Sequence, residues 1–256
     1  MMSIYVEQQG SGPDLVLIHG WGLHGGIWGP WAEQCAERLR VTRVDLPGHG
    51  RSRELPARYD LDALADSVAA AVSGPAIFLG WSLGGLVALR LARRHPERVR
   101  KLALVATSPR FARAPDWPHA MTAELLSGFA AELRRDYRET LNRFLALQVG
   151  FDAAGRALLR HLRAAMFEHG EPSAAALAGA LEILRDTDLR AALAGIAAPT
   201  RIVHGERDRL APPAAAERLA AALPSASLAV IPGAGHAPFL SHPEAFHDAL
   251  DGFLYE

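Results

Sequence analysis

The chain has 256 residues, 50% of them hydrophobic, and a formal net charge of -1. That suits one compact domain, or a core carrying an insertion, with ample apolar material for a buried core. The near-neutral balance argues against a dedicated nucleic-acid or membrane-surface binder, and no uncharged apolar run is long enough to span a bilayer.

The opening "MMSIYVEQQG" has neither a basic n-region nor an apolar h-region, so a cytoplasmic protein, acting as a monomer, is expected. Strand-like runs follow at 4–8, 15–19, 41–46, 76–80, 101–106, 200–205 and 227–232. Several are continuously apolar, as parallel strands covered on both faces should be. Helical patterns lie between them at 28–39, 60–73, 83–95, 213–223 and 243–254. Cys35, the single cysteine, falls in the first of these, which rules out an intrachain disulfide and a cysteine-cluster zinc site. Such alternation implies an α/β fold with a doubly wound, mostly parallel sheet. The alternation stops between 112 and 188, where the patterns read as helices at 120–149, 152–168 and 172–185. This all-helical insertion is expected to be a lid over the strand ends, with 1–111 and 189–256 forming the core.

Between the run "AIFLG" and "LVALRLARR" stands "GWSLGG", residues 80–85. A serine between glycines, after a strand and before a helix, is the context of a nucleophile elbow. The turn is strained, and side chains at 80 and 84 would collide with it. A serine N-cap with glycines for close packing would explain the same five residues; context decides for the elbow. A serine hydroxyl needs a base. His236, in "IPGAGHAPF" after the last strand, is the candidate, and Asp208, in "IVHGERDRLAP" after the preceding strand, would hold its tautomer. Glu206 is a poorer choice of acid. Asp186 and Asp188 precede the strand and read as caps or exits of the lid, while His204 and His242 read as structural. An oxyanion site needs two N–H donors. One is that of Leu83, after the serine; the other comes from "LIHGWGLHGGIW", where Trp21 leaves the second strand and brings an indole to the acyl pocket. Asp45, in "DLPGHGRS", reads as orienting backbone.

Over its whole length the chain resembles the α/β-hydrolase superfamily, and within it the BioH family of pimeloyl-[acyl-carrier protein] methyl ester esterases. The resemblance rests on "HGWGLHGGIW", "VDLPGHGRSR", "LGWSLGGLVA" and "GHAPFLSHPEAF", and most specifically on the lid stretches "RFLALQ" and "LEILRDTDLR". It implies a triad of Ser82, Asp208 and His236. Trp21 and Leu83 match the oxyanion and substrate positions, and Phe144, Leu145, Ala146, Leu147 and Gln148 a segment lining the substrate site. The implied reaction releases methanol from a carrier-tethered pimeloyl ester in biotin synthesis, with no metal or organic cofactor. The implied partner is an acyl-carrier protein, with no nucleic acid or membrane involved, and its contacts match Arg143, Arg156 and Arg160. Glu139 stands where a further basic contact would. Between 134 and 163, seven arginines face Asp136, Glu139 and Asp152, an excess of four positive charges; Arg156, Arg160 and Arg163 share one helical face. A short-chain carboxylesterase, a C–C bond hydrolase and a catalytically dead receptor are the alternatives on the same scaffold. The intact serine, acid and histidine disfavour the receptor.

Overall fold

The computed structural model describes residues 3–149 and 153–256. Seven strands, β1 (Val6–Gln9), β2 (Asp14–Ile18), β3 (Arg40–Val44), β4 (Ala76–Trp81), β5 (Val99–Val105), β6 (Thr200–Gly205) and β7 (Ala226–Ile231), form one sheet. Its order is β1-β3-β2-β4-β5-β6-β7. Only β1 runs antiparallel, against β3; the other pairings are parallel. The central strands read as unbroken apolar runs because both faces are covered: all six residues of β4 are buried.

Helices α1 (Gly29–Ala36), α2 (Leu61–Ala70) and α3 (Leu83–Arg94) cover the first half of the sheet. Each starts where chemistry allows. Pro30 stands in the first turn of α1, and Asp60 caps α2 by accepting the Ala63 N–H at 2.9 Å. A short 3-10 turn, Gly25–Trp28, precedes α1. The expected strand at 41–46 ends two residues early. Asp45 turns its carboxylate onto the N–H groups of Gly25 and Arg51, so it orients backbone.

Between β5 and β6, adjacent in the sheet, lie four helices: α4 (Ala123–Leu133), α5 (Tyr137–Leu147), α6 (Ala153–Phe167) and α7 (Ala174–Asp186). The single helix expected over 120–149 is therefore two. Asp136 breaks it by turning extended (φ -153°, ψ 93°) and accepting the Glu139 N–H at 3.0 Å, which starts α5. Residue 152, the expected start of the next helix, lies outside the described residues. A 3-10 stretch, Arg190–Gly195, leads back to β6 and was not expected. Helices α8 (Pro213–Ala222), α9 (Pro238–Ser241) and α10 (Pro243–Tyr255) complete the chain, each with a proline in its first turn.

One helix start carries the site. Strand β4 runs straight into α3, and the turn between them has no room. A Cβ at Gly80 would overlap the Gly84 carbonyl, one at Gly84 the Ile18 carbonyl, and one at Gly85 the Thr107 side chain. Glycine at 84 thus clears strand β2 as well as the turn. Gly84→Ala drives a methyl group into backbone that cannot yield, so we expect a loss of about 3 kcal/mol of unfolding free energy, read as a lowered midpoint in urea.

Candidate active site

Ser82 joins β4 to α3 with φ 55° and ψ -115°, a left-handed conformation that costs a serine energy. The surroundings hold it there. Its N–H donates to Val105 O at 2.9 Å, and its carbonyl accepts the Gly85 N–H at 2.9 Å and the Thr107 hydroxyl at 2.7 Å. The strain aims Oγ away from the helix it begins, above the carboxyl ends of the strands.

There Oγ meets His236 Nε2 at 2.9 Å, and the Nδ1 of the same ring lies 2.8 Å from Asp208 Oδ2. The three residues are buried. An ionised carboxylate only accepts, so the ring donates through Nδ1–H and its Nε2 lone pair faces the serine hydroxyl. The histidine loop is fixed by backbone as much as by side chains. Trp81 Nε1 donates to the His236 carbonyl at 2.7 Å, and the His236 N–H donates to the Gln148 carbonyl at 3.3 Å.

Asp208 accepts the N–H groups of Leu210 and Ala211 on Oδ1, at 2.9 and 3.0 Å. Burial alone would raise its pKa. The His236 ring beside it, with His204, outweighs burial and holds the carboxyl well below the usual range.

The chain and its fold match known proteins over nearly their whole length. The family model for the alpha/beta hydrolase fold matches residues 13–243. A pimeloyl-[acyl-carrier protein] methyl ester esterase of Chromobacterium violaceum is 48% identical over 97% of this chain and 97% of its own length. One from Nitrosomonas europaea is 44% identical, covering 98% and 99%. The chain belongs to the pimeloyl-[acyl-carrier protein] methyl ester esterase family of α/β-hydrolases. Among solved structures, an esterase from Exiguobacterium antarcticum superposes with a TM-score of 0.90 at 27% identity, covering 99% of this chain and 96% of that one. A hydrolase from Pseudomonas aeruginosa gives 0.86 at 30% identity, covering 99% and 94%.

In this member of the family, the N–H groups of Trp21 and Leu83 make no hydrogen bond within the described residues. Trp21 sits in the turn after β2, and Leu83 opens α3, where a helix leaves its first donors over. His19 steadies the Trp21 turn: its Nδ1–H donates to the Gly20 carbonyl at 2.8 Å while Nε2 accepts the Leu46 N–H at 2.9 Å. The Trp21 indole donates to Leu177 O on α7 at 2.9 Å and meets Phe144 edge-on, ring centroids 4.7 Å apart. Of the expected lid segment, Phe144, Leu145 and Gln148 are buried, and Ala146 and Leu147 half-buried.

A cavity of about 880 Å³ opens beside the triad, between α1, α6 and α9. Trp28, Trp31, Leu158 and Phe239 give it an apolar wall, and Arg207 and Arg209 stand in its lining. Ser82, His236 and Asp208 do not line it; Gln148 and Gly235, which do, flank His236.

The rejected residues sit elsewhere. Asp188 pairs with Arg110 and Arg190, Asp186 with Arg185, and Glu206 accepts the Gly233 N–H at 2.9 Å. His24, Glu168 and His169 bring potential metal-ligand atoms within 4.8 Å of one another. Both His24 nitrogens are already engaged, Nδ1 with the Gly26 N–H and Nε2 with the Ala165 carbonyl. Sequence reading missed the supports: Trp81, Thr107 and His19, whose bonds to His236, Ser82 and Leu46 join distant stretches of chain and leave no mark in spacing.

Asp208→Asn keeps the shape but offers an amide to an imidazole that must then adopt the other tautomer. We expect kcat to fall by about 10³ or more with KM little changed, measured on a soluble ester substrate.

Proposed function

We propose that Ser82, His236 and Asp208 hydrolyse the methyl ester of a pimeloyl chain tethered to an acyl-carrier protein. The products are methanol and the free carboxylate, still on its carrier. The observation that carries the chemistry is the continuous relay from Ser82 Oγ through His236 to Asp208, at 2.9 and 2.8 Å. The family membership carries the substrate.

The reaction runs in two halves. His236 Nε2 takes the Ser82 proton as Oγ attacks the ester carbonyl, and the N–H groups of Trp21 and Leu83 receive the developing oxyanion. His236 then protonates the departing methoxide, leaving an acyl-serine. A water, deprotonated by the same nitrogen, attacks that ester; the second tetrahedral intermediate collapses, and His236 returns the proton to Oγ. Asp208 stays ionised throughout and stabilises the imidazolium. The residues supply every proton transfer themselves, so no metal or organic cofactor enters.

We read 112–188 as a lid domain on the core formed by 1–111 and 189–256. Phe144 and the residues to Gln148 line the acyl site from that lid. Arg143, Arg156 and Arg160 are exposed on α5 and α6, and they meet an acidic carrier. Arg143 also pairs with Glu132, and Arg138, beside Glu139, pairs with Glu171. Asp152, counted in the local charge, lies outside the described residues. Helix α6 is two-faced: Arg156 and Arg160 look to solvent while Leu158 lines the cavity. A carrier held on the outer face would sit on the helix whose other side lines the cavity. The reading is of a monomer acting in the cytoplasm. No helix among the described residues is long and apolar enough to cross a membrane.

Ser82→Ala should reduce hydrolysis of the carrier-linked methyl ester to background while circular dichroism stays unchanged, and a fluorophosphonate should label the wild type alone. Surviving turnover would remove Ser82 as the nucleophile. Arg156→Glu with Arg160→Glu should lower kcat/KM on the carrier-linked ester by about tenfold or more and leave a p-nitrophenyl ester within about twofold. Equal losses on both would sink carrier docking at α6.

A further inference from the structure

We propose that His204 is a positioning residue for this reaction: it shares the Asp208 carboxylate with His236 and so sets how tightly that carboxylate holds the His236 imidazolium. The proposal rests on the triad reading given above.

His204 is the penultimate residue of β6 and is fully buried. Its Nε2 lies 2.5 Å from the Ala211 carbonyl and 3.4 Å from Asp208 Oδ2. Both neighbours are acceptors, so this nitrogen carries the proton; it donates to the Ala211 carbonyl and sets its positive edge beside Asp208 Oδ2. Nδ1 is buried with no hydrogen-bond partner among the described residues. A proton there would be an unpaired buried N–H, so the geometry places the ring proton on Nε2. The arrangement closes on itself: Ala211 donates its N–H to Asp208 Oδ1 at 3.0 Å and offers its carbonyl to His204. Asp208 therefore accepts from two backbone amides and the His236 imidazole, with the His204 ring nitrogen 3.4 Å from the oxygen that His236 uses.

The ionisable groups facing His204 are Asp208 and, through it, His236. On β7, Val230 stands opposite His204. The β5 pairing ends with Val105 against Val203. Helix α8 turns Ala215, Ala216 and Leu219 inward. Glu206, Arg207 and Arg209 of the intervening loop are exposed.

A second donor on Oδ2 draws on the electron density that would otherwise bear on His236 Nδ1–H. The imidazolium that forms on His236 during the reaction is stabilised less. Without His204, Oδ2 answers to His236 alone. The acidic limb of the kcat/KM profile then moves to higher pH.

The experiment compares pH profiles of wild type, His204→Phe and His204→Gln on a small ester. His204→Phe should shift the acidic limb upward. His204→Gln, whose amide N–H can replace the donor, should keep the limb where wild type has it. A folded His204→Phe protein with the wild-type limb, or equal shifts in both variants, overturns the proposal. Nitrogen-15 spectra of the wild type provide a reading that needs no variant to fold: His204 should be neutral with the proton on Nε2, and a proton on Nδ1 ends the case. Loss of activity in Ser82→Ala tests the triad separately, and that result stands whether or not the limb moves.

Discussion

Helix α3 begins against the backbone of β2, and this close approach is the constraint from which the site follows. Side chains at 80, 84 and 85 would overlap the Gly84 carbonyl, the Ile18 carbonyl and Thr107 respectively. With glycine at all three positions, β4 can turn into α3 over a single residue, and Ser82 takes the positive φ that the turn demands. Its strain, of order 1–3 kcal/mol for such a residue, is offset by bonds from Thr107 and Gly85 to its carbonyl and by its own N–H on Val105. Sheet packing thus presents the hydroxyl, and the helix start behind it leaves N–H donors pointing the same way.

The imidazole is positioned by a different device. Its loop is gripped through main-chain atoms from two directions, by the Trp81 indole from the core and by the Gln148 carbonyl from the end of α5. Gly235 has no space for a side chain beside Gln148, and Gly205 none beside Gly235. One end of the inserted helices therefore touches the His236 loop directly. A shift of α5 would be felt at His236 without any change in the core, which links packing of the inserted helices to the position of the imidazole.

Much of this was legible in residue order. The elbow showed because a serine between glycines, at a strand-to-helix junction, has few other uses. His236 and Asp208 showed because each follows one of the last two strands, and parallel strands place such loops at one edge. The two-helix break at Asp136 was not legible. "AELRRDYRETL" keeps a helical period through the break, and only the capping bond of Asp136 to Glu139 decides it. His204 read as structural, since a histidine at a strand end is ordinary by itself. Its contact with Asp208 depends on how the 206–211 loop folds back.

By itself, the sequence determined the alternation of strands and helices, the candidates for nucleophile, base and acid, and the arginine-rich surface of the insertion. These are local properties: period, glycine spacing and charge are carried by neighbours in the chain. Tertiary structure alone decided which acceptors share a proton donor, which carbonyl takes the Trp81 indole, and which lid residue touches the histidine loop. Such contacts join positions 155 residues apart in the case of Trp81 and His236. They depend on distances of a few tenths of an ångström, which a linear pattern of residue types does not encode.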